Sequence, residues 1–133
     1  MKVCFLVPPE PCAETPAERS AGCTRVVYPM PNLYELTVAA LVAEKGFEVE
    51  YADLTADGTA SLEQFLGADT SDAYLIWTVN LSRAADRDAR DAILRRRPEA
   101  TTVFLGPGAT FFPDIYLSGK RTAIVRGEPE LTV

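Results

Sequence analysis

Apolar residues along this chain fall into two patterns, which predict strands that alternate with helices. Continuous apolar runs bounded by turns are typical of strands buried on both faces of a sheet. The spacing of Val49 and Tyr51 before Asp53 predicts one further strand. The continuous runs predict strands at residues 3–7, 73–77, 102–105 and 122–125. This alternation predicts a single doubly wound α/β domain with a parallel sheet.

Apolar residues at helical spacing predict the helices between these strands. The first helix is expected to end at Gly46 in a left-handed cap. Leu33, Leu36, Ala40 and Ala43 stand at helical spacing, and Val38, Leu41 and Val42 widen the apolar arc, so this helix is expected to be well buried. The longest helix is predicted at residues 81–97, with a buried side of Leu81, Ala85, Ala89, Ala92 and Ile93. Its spacing also predicts ion pairs of Asp86 with Arg90 and of Asp91 with Arg95, so the arginines at its end are assigned no function.

Composition excludes several classes of function. The formal net charge of −6 argues against a nucleic-acid surface, because binding phosphates needs a basic face. The chain has no histidine, which excludes Ser-His-Asp and Cys-His catalysis and histidine-containing zinc sites. The spacing of Cys4, Cys12 and Cys23 fits neither a disulfide set nor a zinc motif and predicts reduced thiols. No apolar run is long enough for a signal-peptide core or a membrane helix, so we expect a soluble, cytoplasmic protein.

Candidate functional residues follow the predicted strands, because ligands of doubly wound sheets bind beyond the carboxyl ends of the strands. Pro8-Pro9 after the first strand removes two amide donors, which disfavours a glycine-rich dinucleotide loop. A flavodoxin would have a phosphate loop rich in Ser and Thr at the same place. Trp77-Thr78 stands after the third strand, where a receiver domain needs its aspartate.

The run Gly106-Pro107-Gly108-Ala109-Thr110 is the most distinctive segment of this kind. Two glycines let the backbone approach a large ligand closely, and Pro107 restricts the turn. An ordinary strand-to-helix turn explains the same residues equally well. Thr78 and Asn80 also have two interpretations. Each is a candidate ligand contact, and each is a residue type that caps helices and so explains the start of the following helix.

Several segments stand in a characteristic order along the chain. They are Pro8-Pro9, Tyr28-Pro29-Met30-Pro31 before Val38-Ala39-Ala40-Leu41, Lys45-Gly46-Phe47-Glu48-Val49 with Asp53-Leu54, the run at 106–110, and Arg126-Gly127-Glu128-Pro129-Glu130. Together they resemble the cobalamin-binding domain at the N-terminus of many radical S-adenosylmethionine (SAM) enzymes, such as anaerobic magnesium-protoporphyrin ester cyclases and cobalamin-dependent methyltransferases. The resemblance implies a flavodoxin-like, Rossmann-like fold with five parallel strands in one cobalamin-binding-like domain over residues 1–133.

The resemblance also implies a cofactor, cobalamin. The corrin would lie on the loops after the first, third and fourth strands, and its nucleotide tail would extend beside the sheet. Because the chain has no histidine, this cobalamin would have no histidine lower ligand. No catalytic residue and no protein ligand to a metal is expected. The implied cofactor-binding residues are Pro8, Pro9, Glu10, Thr78, Val79, Asn80, Leu81, Gly106, Pro107, Gly108, Ala109, Thr110 and Glu128.

The chain departs from the family pattern at three places. Leu105 replaces the first glycine of Gly-Gly-Pro-x-Ala-Thr, Asn32-Leu33-Tyr34-Glu35 replaces Pro-Leu-Gly-Leu, and Pro129 replaces a glycine. Leu105 and Tyr34 add bulk, which supports a second hypothesis: a corrin-free domain that acts as a structural or substrate-gating lid. A third hypothesis is an unrelated flavodoxin-like binding domain, because a fold alone does not carry a function.

Radical chemistry is expected outside this chain. The Cys-x3-Cys-x2-Cys motif that binds the iron–sulfur cluster in the radical barrel is absent. The cluster and S-adenosylmethionine are therefore expected only in a C-terminal radical SAM domain of the same parent protein, which would be the partner of this one. We expect no nucleic-acid partner and no membrane partner.

Overall fold

The computed structural model of the chain describes residues 1–9, 32–54 and 62–132. The sequence shows no periodicity from Glu10 to about Pro31 and predicts a long loop there, and it predicts a turn at residues 57–59. Both segments, including Cys12 and Cys23, lie outside the described residues.

Five strands form one sheet in the order β2-β1-β3-β4-β5, and all neighbouring strands are parallel. The strands are β1 (Lys2–Val7), β2 (Glu48–Asp53), β3 (Ala73–Trp77), β4 (Thr101–Leu105) and β5 (Thr122–Ile124). The α-helices are α1 (Leu33–Glu44), α2 (Leu62–Ala68), α3 (Arg83–Arg96), α4 (Pro107–Phe111) and α5 (Pro113–Tyr116), and a 3₁₀ helix spans Pro129–Leu131. The predicted α/β class and flavodoxin-like parallel sheet are confirmed.

The hydrophobic core consists of two layers, one on each face of the sheet. Because successive side chains of a strand point to opposite faces, each central strand contributes to both layers. One layer packs against α2, α3, α4 and α5 and includes Cys4, Leu6, Tyr74, Ile76, Phe104 and Tyr116. The other packs against α1 and includes Val3, Phe5, Val38, Leu75, Trp77 and Leu105.

The position and the cap of α1 are confirmed, but the predicted burial of its apolar arc is only partly right. Gly46 has φ of +88° and follows the last turn, as a left-handed cap requires. Leu33 is 76% exposed, and Leu36, Ala40 and Ala43 are exposed too. The helix buries Glu35, Val38, Ala39 and Val42, of which Val38 and Val42 belong to the predicted arc. Apolar residues of this helix lie on several of its sides, so their periodicity does not select one face. The hydroxyl of Tyr51 on β2 donates to the Glu35 carboxylate at 2.7 Å.

The longest helix, α3, starts later than predicted, and its ion pairs differ. Leu81 precedes the helix and is 76% exposed, while the rest of the predicted side, Ala85, Ala89, Ala92 and Ile93, is buried. Arg90 binds the adjacent Asp91 and donates to the carbonyl of Ser118. The arginines at the helix end bind outside the helix, since Arg95 and Arg96 both pair with Glu63 of α2.

Candidate functional site

The carboxyl edge of the sheet brings together the loops that follow β1, β3 and β4, because these strands are neighbours. The strand order reverses between β1 and β3, and such a switch point opens a crevice in which doubly wound sheets bind ligands. Three neighbouring strands span about 10 Å. The predicted cofactor-binding residues after these strands therefore share one edge, and Glu10 among them lies outside the described residues.

These residues differ in what they offer to a ligand. The buried ones are Pro8, Thr78, Gly106, Gly108 and Ala109. The half-buried ones are Pro9, Val79, Pro107 and Thr110, and the exposed ones are Asn80, Leu81 and Glu128. A ligand above the edge would contact the second and third groups directly. The first group shapes the loops from below.

Thr78 ties the end of β3 to the turn after β4. Its backbone N–H and its hydroxyl both donate to the carbonyl of Leu105, at 2.7 and 3.0 Å. The same hydroxyl oxygen accepts from the N–H of Ala109 at 2.8 Å, and the Thr78 carbonyl accepts from the N–H of Gly108 at 2.9 Å. Because its side chain is fully buried and bonded within the protein, Thr78 positions the two loops and offers its hydroxyl to no ligand in this arrangement.

Trp77 and Gly106 close the α1 side of this edge. The Trp77 ring stacks on Tyr34 with ring centres 5.8 Å apart and planes 11° apart. Gly106 has φ of +92°, and a Cβ there would lie 2.9 Å from the Trp77 ring and 3.0 Å from the Thr78 carbonyl oxygen. A glycine is required here by the backbone conformation and by the tryptophan. Leu105 is fully buried in the same layer.

Gly108 and Tyr116 close the opposite side, towards α3 and α5. A Cβ on Gly108 would lie 2.6 Å from the Thr78 hydroxyl oxygen and 2.7 Å from the Tyr116 hydroxyl oxygen. Tyr116 is fully buried and packs against Phe104, with ring centres 4.9 Å apart. The second glycine of the predicted run is therefore explained by close packing inside the protein.

Thr110 joins the loop after β4 to the loop after β5. Its hydroxyl donates to the carbonyl of Gly106 at 3.0 Å and its oxygen accepts from the N–H of Gly127 at 3.0 Å. Glu128, the last of the predicted residues, is exposed beside this junction. The bond fixes the end of β5 against the turn at Gly106, so the loops form one connected surface.

Ser82, rather than Thr78 or Asn80, stands at the N-cap position of α3. The Ser82 hydroxyl oxygen accepts from the N–H of Val79 at 3.1 Å and lies 2.7 Å from a carboxylate oxygen of Asp86. The carbonyl of Asn80 accepts from the Arg83 side chain at 3.0 Å. The capping interpretation of Thr78 and Asn80 is therefore wrong.

Exposed apolar side chains surround the carboxyl edge. The helices α1, α3 and α4 all begin there, because each follows a strand. The guanidinium of Arg83 lies 5.4 Å from the centre of the Phe112 ring and covers part of it. Grouped exposed side chains of this kind are typical of binding surfaces. The residues, named here the apolar rim, are Leu33, Tyr34, Leu81, Phe111 and Phe112.

Sequence reasoning missed the roles of Trp77, Tyr34 and Tyr116. Trp77 is the single tryptophan of the chain and ends a strand, which was a usable signal for a residue at the ligand edge. The Tyr34 stack and the Tyr116 contact join different elements of the fold, so no periodicity within one element marks them.

Asp69, an ionisable group with several bonds, lies at the amino edge, away from the candidate site. Its carboxylate accepts from the Tyr74 hydroxyl at 2.5 Å, the Ser71 hydroxyl at 2.9 Å and the Lys2 ammonium at 3.1 Å. Burial raises the pKa of Asp69, but these hydrogen bonds outweigh it and the pKa lies below its usual range. Burial, together with the carboxylate, raises the pKa of Tyr74. Every partner lies on β1, β3 or the turn before β3, so this cluster serves to anchor the amino ends of the strands.

A groove of about 300 Å³ adjoins this anchor and is also formed at the amino edge. Arg97 in its lining donates to the backbone carbonyls of Ser71 and Asp69. Arg96 in its lining pairs with Glu63. The guanidinium groups are therefore bonded within the protein, which favours a structural role over an anion site.

No cluster of three or more His, Cys, Asp or Glu side chains that could hold a metal ion occurs in residues 1–9, 32–54 and 62–132. Over the same residues, none of the helices combines the length and the apolar character needed to cross a bilayer.

The fold and the carboxyl-edge loops define a flavodoxin-like α/β domain with a candidate ligand surface at its switch point. Comparison of the chain with protein-family models, curated proteins and solved structures found no match.

A corrin has two parts, a flat ring and a nucleotide tail, and the described residues fit them differently. The edge over β1, β3 and β4 is broad and carries the apolar rim, which suits a flat macrocycle. The space beside β3 and β4 is filled on one side by Trp77 and Leu105 and on the other by Tyr116. The described residues therefore offer apolar contacts to a ring, while side chains of the protein pack beside these two strands.

Proposed function

We propose that this chain is a cobalamin-binding-type module that holds a corrin ring on the carboxyl edge of its sheet and presents it to a radical SAM domain. The observation that carries the proposal is the convergence of the loops after β1, β3 and β4 at a switch point bordered by the apolar rim. When bound, the corrin cobalt would supply the reactivity, and the protein would supply binding and orientation.

Individual residues would contribute to binding in three ways. Pro9, Val79 and Pro107 are half-buried at the edge and would contact the ring face. Leu81 is 76% exposed, and covering it with the ring would remove apolar surface from water. Thr78 and the residues it bonds would hold the loops rigid beneath the ring, which lowers the entropic cost of binding.

The partner in this proposal is a radical SAM domain that carries the iron–sulfur cluster and S-adenosylmethionine. The absence of histidine from the chain means that no imidazole of this chain can occupy the lower face of the cobalt. The resemblance described for the sequence supports this assignment. A Cys-x3-Cys-x2-Cys motif in the coding sequence that follows these residues would support it further.

The direct test is binding of hydroxocobalamin to the purified protein, measured by the visible spectrum retained after desalting and by titration. Replacing Leu81 with Asp places a charge on the apolar rim and should weaken binding roughly tenfold, as expected from the loss of one buried leucine contact. Leu117→Asp is the matched control, because Leu117 is also exposed but follows α5 and lies outside the apolar rim. Absence of retained corrin absorbance in the wild-type protein would rule out this function.

A second candidate function is a corrin-free domain that acts as a structural or substrate-gating lid. The stack of Trp77 on Tyr34 and the buried Leu105 favour it, because they fill space that small residues would leave open. In this case the apolar rim would pack directly on the downstream domain. The expected results are no retained corrin and, in the full parent protein, protection of Leu81 and Phe111 from solvent labelling.

A further inference from the structure

We infer that the protein forms a symmetric dimer in which the outward sides of two copies of α1 pack against each other in antiparallel orientation. The surface involved is the side of α1 that faces away from the sheet. It does not include Pro9, Val79, Leu81 or Pro107, the residues proposed to contact the corrin ring. Dimer formation and corrinoid binding are therefore independent properties of the molecule.

The outward side of α1 is apolar along its whole length. Leu33 is 76% exposed and Leu36 is 37% exposed, and Ala40 and Ala43 are exposed as well. These four residues are named here the α1 stripe. The hydroxyl of Thr37, which flanks the stripe, donates to the carbonyl of Leu33 at 2.8 Å and so is bonded within the helix. A surface helix normally carries charged and polar residues on this side, so an apolar one is typical of a surface that a partner covers.

The spacing of the α1 stripe indicates that the partner is a helix. Positions 33, 36, 40 and 43 are separated by three, four and three residues. This is the repeat found along the contact line of two packed helices, where apolar residues recur every 3.5 residues on average. Since α1 has 12 residues, it is about 18 Å long, and the stripe runs from its first turn to its last.

The order of side-chain sizes favours a second copy of α1 as this partner. Leucines occupy the first half of the α1 stripe, and alanines occupy the second half. In an antiparallel pair, Leu33 of one copy lies opposite Ala43 of the other, and Leu36 lies opposite Ala40. Each large side chain then meets a small one, which fills the space between the helices. In a parallel pair leucine would meet leucine and alanine would meet alanine, which leaves space unfilled.

The charge at the end of α1 favours the same arrangement. Glu44 is exposed in the last turn, which contains no basic residue, and there the negative end of the helix dipole disfavours a carboxylate. In the antiparallel dimer Glu44 lies beside Asn32, the N-cap of the other α1, where the dipole is positive. The next residue, Lys45, is turned by about 100° around the helix axis, away from the stripe. A parallel dimer would place two Glu44 carboxylates side by side.

The size of this contact predicts a reversible dimer. Stable complexes bury about 800 Å² on each partner, and one pair of short helices buries less. We expect a Kd on the order of 10–100 µM. Sedimentation velocity over protein concentrations from about 5 to 500 µM should therefore show a shift from the mass of one chain towards the mass of two.

Two variants that are mixed together test the pairing itself. Leu36→Glu and Ala40→Lys each place an unpaired charge in the contact, so each should weaken self-association about tenfold or more. Because position 36 of one copy faces position 40 of the other, an equimolar mixture should form a Glu–Lys pair. The mixture should associate about tenfold more tightly than either variant alone. Ala84→Lys is the matched control, because Ala84 is an exposed alanine of α3, and it should dimerise like the wild type.

Several results would overturn the inference. One is a wild-type protein that stays monomeric over this range, whether the α1 stripe is covered by another segment of the chain, by a different protein or by nothing. Another is a dimer that neither variant weakens, or a mixture that associates no more tightly than its components. Circular dichroism shows whether each variant is folded, and Leu33→Glu with Ala43→Lys is a second pair of the same geometry if Leu36→Glu does not fold.

Discussion

Substitution of Gly108 by alanine probes whether the carboxyl-edge loops are packed as tightly as the structure indicates. The added Cβ would meet the Thr78 hydroxyl oxygen at 2.6 Å and the Tyr116 hydroxyl oxygen at 2.7 Å, both shorter than carbon–oxygen contact allows. Overpacking of a buried site costs about 1–3 kcal/mol, and rotating Thr78 away would sacrifice a hydrogen bond worth about 1 kcal/mol. Alanine recovers about 1 kcal/mol of helix propensity. The net expectation is a loss of about 1–3 kcal/mol of unfolding free energy.

The assay is thermal and urea unfolding followed by circular dichroism. A loss of this size should lower the Tm by about 5–10 °C in a domain of this length. Gly67→Ala is the matched control, because Gly67 lies in α2 and a Cβ there has no atom within 4 Å. That variant should be unchanged or more stable by about 0.5–1 kcal/mol.

A double-mutant cycle with Thr78 isolates the contact. Thr78→Ala alone leaves the N–H of Ala109 without its acceptor, which costs about 1–3 kcal/mol. In the Gly108→Ala background, Thr78→Ala also removes the closest clash. The double variant should therefore lose about 1 kcal/mol less unfolding free energy than the two single variants lose together. Gly108→Ala as stable as wild type, or strictly additive effects, would refute the packing described for this edge.

Three further predictions concern other parts of the molecule. Asp69→Asn should lower the unfolding free energy at neutral pH by about 2 kcal/mol, because the buried carboxylate accepts charge-assisted bonds. The pKa of Asp69 is depressed in the folded state, so its contribution to the unfolding free energy is present above the ordinary pKa of an aspartate and is lost as the pH falls through the lowered pKa. The unfolding free energies of the variant and the wild type, measured by urea titration, should therefore converge in acid. A difference that does not depend on pH would contradict this. Gly106→Ala should lower the Tm, and by more than any change caused by Gly67→Ala, because the φ of +92° and the Trp77 ring both oppose a side chain at Gly106. Equal Tm values for the two variants would contradict the close approach of Gly106 to Trp77. Cys4 is fully buried and burial raises the pKa of its thiol, so iodoacetamide at pH 8 should modify it only after unfolding, as peptide mass spectrometry will show; rapid labelling of folded protein would contradict this.

The two edges of the sheet differ in the side chains that they carry. The amino edge holds the Asp69 cluster, in which the carboxylate is satisfied by Tyr74, Ser71 and Lys2. The carboxyl edge holds the apolar rim, whose exposed side chains have the character of a surface that another group covers. Substitutions at the first edge should therefore act on folding, and substitutions of exposed residues at the second should act on binding.

The sequence by itself determined the strands, the parallel α/β class and the cap at Gly46, because these follow from patterns within a few residues of the chain. It also located the loops of the candidate site, since the carboxyl ends of parallel strands share one edge. Only the tertiary structure decided which side of α1 is buried, because apolar residues occur on several sides of this helix and its packing on the sheet selects the face. It alone placed Trp77 on Tyr34 and Thr78 against Gly108, contacts between residues far apart in the chain. Such contacts depend on the order of strands and on the volumes that meet between layers, neither of which periodicity encodes.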